Sequence, residues 1–69
     1  MNSNEKMAKI LSVIKAHPNF KKVMDVQLDG DNLYLFVNKN GKQHRSNFGN
    51  IDLLVSFDKY WIWSLMDKF

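Results

Sequence analysis

A chain of 69 residues with no cysteine and a net charge of +3 has few ways of holding itself together. A domain this small buries only about 60% of the surface its unfolded chain exposes. Without thiols, neither a disulfide nor a cysteine-ligated zinc can staple it. Dense packing of its five phenylalanines, two tryptophans and two tyrosines remains, or a core shared with a partner.

Nine of the ten basic residues are lysine, the cation of solubility more than of recognition, so the charge alone is a weak pointer to nucleic acid. The segment Met1 to Lys9 has no apolar run of the signal-peptide kind, and no stretch approaches 18 uninterrupted apolar residues. The expectation is one soluble, cytoplasmic domain over residues 1–69, without membrane contact. Heavy use of Asn, Lys, Ile and Phe points to an AT-rich genome, such as that of a low-GC bacterium or of a phage or plasmid living in one.

Residues Asn4 to Ala16 place Met7, Ile10, Leu11 and Ile14 at i, i+3, i+4, i+7 spacing, which predicts a first helix, capped by Ser3 or Asn4 and helped by Glu5 in its first turn. Pro18 disfavours helical backbone in the residue before it, so the helix is expected to stop at His17, whose ring then serves its C-terminus.

From Lys22 the period changes to two: Met24, Val26 and Leu28 alternate with Asp25, Gln27 and Asp29 as a half-buried strand. Asp29-Gly30-Asp31-Asn32 is turn chemistry, and Leu33 to Val37 forms a second strand. Pairing Leu28 with Leu33 sets Val26 against Leu35 and Met24 against Val37, placing six apolar residues on one face. Asn40-Gly41 demands a type I′ turn. It returns the chain as a third strand, Lys42 to Phe48, with Lys39 against Lys42, Val37 against His44, Leu35 against Ser46 and Leu33 against Phe48. Its polar core-side face suits an edge strand.

After Gly49-Asn50 the chain ends in its most apolar stretch. On a single helical wheel, Ile51, Leu54, Val55, Trp61, Ile62, Leu65, Met66 and Phe69 gather into an arc of about 140°. Asp58 falls in the middle of that arc, where an unpaired carboxylate is costly to bury. The sequence favours a break near Ser56, with Ser56 capping a second helix and Asp58 in its first turn. Two alternatives stand beside it: a continuous helix whose buried Asp58 finds Lys15, Lys21, Lys22, His44 or a second chain, and a strand over Ile51 to Val55. The predicted architecture is α+β: an N-terminal helix, a three-stranded antiparallel meander and a C-terminal helical segment, all packed on one sheet face.

Chemistry-bearing motifs are absent. Asp29-Gly30-Asp31 fails as a calcium loop, since Leu33 would occupy the fifth ligand position and Tyr34 the place of the required glycine. Two histidines 27 residues apart make no zinc site, and there is no phosphate-binding loop or nucleophile elbow. The sequence therefore implies neither an enzyme nor a cofactor nor a metal.

The informative feature is the second face of the sheet, where Tyr34 and Phe36 lie beside Arg45 and Asn47, with Lys39 and Lys42 at the hairpin tip and Asp25 and Asp29 on the flanking strand. Aromatics among bases are how sheets bind single-stranded nucleic acid. Yet Val23 to Val37 holds three acids and no base, while Asn38 to Phe48 holds bases and no acid. A bipolar face with an aromatic centre fits a protein partner or a second copy better, because aromatic anchors supply the energy and charges set the register. A third reading has the C-terminal helix covering both aromatics as ordinary core. The function expected is a non-catalytic protein-binding module, a small inhibitor or modulator encoded by a mobile element. The alternative is a single-stranded nucleic-acid binder using Tyr34, Phe36, Lys39, Lys42 and Arg45.

Overall fold

The computed structural model describes residues 1–69. Helix α1 (Ser3–Ile14) is followed by a 3-10 turn (Pro18–Lys22), strands β1 (Val23–Asp29), β2 (Asn32–Lys39) and β3 (Lys42–Asn50), and helices α2 (Ile51–Leu54) and α3 (Lys59–Met66). The strands form one antiparallel sheet in the order β1-β2-β3. All helices lie on one of its faces, with α1 against α2 and α3 and the 3-10 turn against β1 and β2. This is the α+β arrangement read from the sequence.

The core is one cluster: Ile10 and Ile14 from α1, Leu33, Leu35 and Val37 from β2, Phe48 from β3, Ile51 and Leu54 from α2, and Ile62 and Met66 from α3. The central strand supplies three fully buried residues at period two, whereas the edge strand β1 supplies only half-buried Val23, Val26 and Leu28. Asn40 and Gly41 both take positive φ, 55° and 80°, as the type I′ hairpin demands.

Two bulges shift the expected register. In β1, Val23 rather than Met24 pairs with Val37, and the irregularity falls between Val23 and Asp25. One extra residue reverses the alternation before it. Met24 is therefore 61% exposed instead of facing the core, and the Asp25 carboxylate accepts from the Val26 N–H at 2.8 Å. In β3, Leu33 lies opposite Gly49 and Tyr34 opposite Asn47. Phe48 sits between them as the extra residue, still buried, so the strand runs two residues further than expected. Gly49 adopts φ 143°, a conformation an L side chain rarely takes, with the Leu54 side chain 3.6 Å from where a Cβ would stand.

Helix ends also differ from expectation. Asn2, not Ser3 or Asn4, caps α1, its Oδ1 accepting from Glu5 N–H at 2.9 Å. The helix is over by Ile14, and His17 instead caps the 3-10 turn. Asn50 caps α2. The C-terminal stretch is broken, as the sequence favoured, but the cap is Asp58 itself: its Oδ1 accepts from Trp61 N–H at 2.9 Å. Ser56 turns back instead, its hydroxyl donating to the Leu53 carbonyl at 2.6 Å. Neither a buried Asp58 nor a strand over Ile51 to Val55 exists.

Three substitutions separate these roles under chemical denaturation. Ile62→Ala should cost about 2–5 kcal/mol, and Met24→Ala less than about 0.5 kcal/mol. At the cap, Asp58→Ala should lose about 1 kcal/mol while Asp58→Asn, which still accepts from Trp61 N–H, stays within a few tenths.

Candidate docking surfaces

The outer sheet face carries the aromatic pair where the register put it. Tyr34 lies between Gln27 and Asn47, and Phe36 between Asp25 and Arg45. Both are half-buried by their neighbours. No helix covers them, since every helix is on the opposite face and neither residue belongs to the core cluster.

Arg45 decides what this face offers. Its guanidinium lies 3.8 Å from the Tyr34 ring centroid and 3.6 Å from Asp29 Oδ2, so it reaches diagonally over the ring towards the acidic strand. The ring face that a nucleobase would stack on is already occupied by a cation. Lys39 and Lys42 pair at the hairpin tip, but period two puts them on the side of Val37, away from Tyr34 and Phe36. There Lys39 borders a recess of about 370 Å³ lined with Lys22, Val37, Asn38, Asn40 and Phe69. The structure thus brings Tyr34, Phe36, Asp25, Asp29, Arg45 and Asn47 together and leaves Lys39 and Lys42 apart.

The largest exposed apolar side chains lie elsewhere. Tyr60 is 82% exposed, Trp61 64% and Phe57 40%, with Leu53 also outward on α2. Phe57 and Trp61 are neighbours, ring centroids 6.3 Å apart. The single-wheel reading hid this surface by placing Trp61 in the core arc. The break at Asp58 resets the phase, so α3 turns Ile62 and Met66 inward and Trp61 outward.

In a third constellation only His17 carried a sequence signal, and that as a residue at a helix end. His17 is 7% exposed, and its Nδ1 accepts from the backbone N–H of Asn19 at 3.0 Å. That donor fixes the tautomer, leaving Nε2–H to donate to Asp67 Oδ1 at 2.7 Å. The ring meets Trp63 edge-on at 4.9 Å, and Trp63 Nε1–H donates to the Val13 carbonyl at 3.0 Å. Asn19 Nδ2 donates to the Met66 carbonyl at 3.1 Å. With both ring nitrogens engaged, the imidazole has no free lone pair to offer a substrate. It bolts the end of α3 to the corner after α1.

No group of three or more His, Cys, Asp or Glu side chains is placed to hold a metal ion, and no helix is long and apolar enough to cross a membrane. Compared with protein-family models, curated proteins and solved structures, the chain matches none.

The two polar constellations should respond differently to mutation. His17→Leu strands a backbone donor in a closed corner and should cost about 1–3 kcal/mol. Arg45→Ala removes only exposed contacts and should cost less than about 1 kcal/mol. Urea midpoints at constant m-value check both.

Proposed function

We propose that this chain is a non-catalytic binding module that acts by docking on a protein surface, a small inhibitor or modulator of the kind mobile elements encode, working in the cytoplasm. The observation that carries the reading is the outward aromatic surface of α3 and the turn before it. A domain of 69 residues needs its large apolar side chains inside, yet Trp61, Tyr60 and Phe57 are spent on the outside, together on one side. Trp and Tyr dominate the energetics of protein interfaces because each covers a large area at little entropic cost. Contiguous apolar surface of this type marks interaction sites.

The outer sheet face supports the same reading less strongly, with Asp29 and Arg45 already paired across Tyr34. The nucleic-acid reading loses ground on two counts: the stacking face of Tyr34 is taken, and Lys39 and Lys42 lie on the other side of the sheet. Small size, Lys-rich composition and the engaged nitrogens of His17 fit a binder better than an enzyme.

Affinity capture with the tagged chain from a native lysate tests this. The captured material should be protein, indifferent to nuclease, and should fall about tenfold or more with Trp61→Ala, as loss of a central anchor does. Captured nucleic acid that is released between about 50 and 200 mM salt would instead establish the alternative.

A further inference from the structure

The occupant of the α3 surface can be argued from the order of residues along it, resting on the docking role just proposed. On the side away from Ile62 and Met66, Trp61 and Ser64 share an arc of about 60°, and Lys68 stands in the turn that follows the helix. All three are exposed, as is Asp58 at the start of the row. The row therefore reads acid, large aromatic, small hydroxyl, cation. Beside Trp61 is a recess of about 240 Å³ lined by Asp58, Tyr60, Trp61 and Ser64. Ser64 leaves it open, its hydroxyl folded back to donate to the Trp61 carbonyl at 2.6 Å. Lys59, the one cation within α3, lies 4.3 Å from the Trp63 ring centroid, which leaves Lys68 as the cation of the row.

We propose that a second copy of this chain closes the surface, with α3 antiparallel to its twin across a two-fold axis passing between Trp61 and Ser64. That axis sets Trp61 of each copy over Ser64 of the other, large against small, and carries Asp58 of each towards Lys68 of the other. It also opposes the two helix dipoles. An isologous contact needs one self-complementary patch, and this row is one. A parallel pairing fails on the same residues: Asp58 would face Asp58, Lys68 would face Lys68, and Trp61 would meet Trp61 with no small residue opposite. With one short helix contributed by each copy, the interface falls at the small end of specific contacts, so the dimer is weak and dissociates readily.

Sedimentation equilibrium of the full chain across micromolar to millimolar concentrations reads the monomer–dimer constant. Trp61→Ala should weaken association about tenfold or more, with the circular dichroism spectrum unchanged because the side chain is exposed. Lys68→Glu places like charges together twice and should weaken it about five- to tenfold. Adding Asp58→Asn, which still caps α3, should recover most of that loss. A monomer at every concentration, a dimer indifferent to Trp61→Ala, or a dimer indifferent to Lys68→Glu overturns the proposal. A monomeric chain that still loses its captured partner with Trp61→Ala overturns the second copy and leaves the docking function standing. A dimer lost with Trp61→Ala while partner capture is unaffected does the reverse.

Discussion

The architecture depends on where the chain refuses to remain helical between Leu54 and Lys59. A continuous helix would have carried one apolar stripe with a carboxylate at its centre. The Asp58 side chain instead satisfies the Trp61 N–H and starts α3 afresh, so Ile51 and Leu54 enter the core from the end of β3 while Ile62 and Met66 enter it over α1. The same reset decides which tryptophan is structural. Trp63 reaches back to Val13 and His17, and Trp61, two positions earlier, faces outward. One exposed acid thus divides the C-terminal stretch into a core-filling side and an exposed aromatic side.

Most of the fold was legible because local signals and long-range register agreed. The 3.6-residue spacing of Met7, Ile10, Leu11 and Ile14, the alternation of Leu33, Leu35 and Val37, and the Asn40-Gly41 turn each named one conformation, and all served one sheet face. What escaped reading was non-local or depended on a single inserted residue. The bulge that exchanges Val23 for Met24 leaves no mark, since both are apolar, and only the observed pairing with Val37 distinguishes them. His17 looked like a helix-end residue because Pro18 follows it. Its partners Asp67 and Trp63 lie some fifty positions away, where no spacing argument reaches.

The candidate surface was the least legible part for a related reason. A helical wheel assumes unbroken phase, and its error grows past every break. A wheel with its origin at Ile51, on the far side of the interruption, therefore turns Trp61 inward. The outer sheet face was placed correctly by register, but register says nothing about rotamers, and it is the reach of Arg45 across Tyr34 to Asp29 that changes what the face can bind. Self-association through α3 and recognition of another protein through the same residues would be competitive. The apparent affinity for that partner would then fall as the concentration of the chain itself rises.

The ties between the two ends of the chain have a consequence for the order in which it is made. Asp52 pairs with Lys6, Trp63 with Val13, Asp67 with His17, Met66 with Asn19, and Phe69 with Lys22. Each of these joins residues separated by 46 to 50 positions. The apolar face of α1 therefore has no lid until the last helix has been synthesised. A nascent chain that has completed its meander still lacks Ile51, Leu54, Ile62 and Met66 around Ile10 and Ile14, and in that interval it depends on speed, or on a chaperone, to avoid sticking to its neighbours.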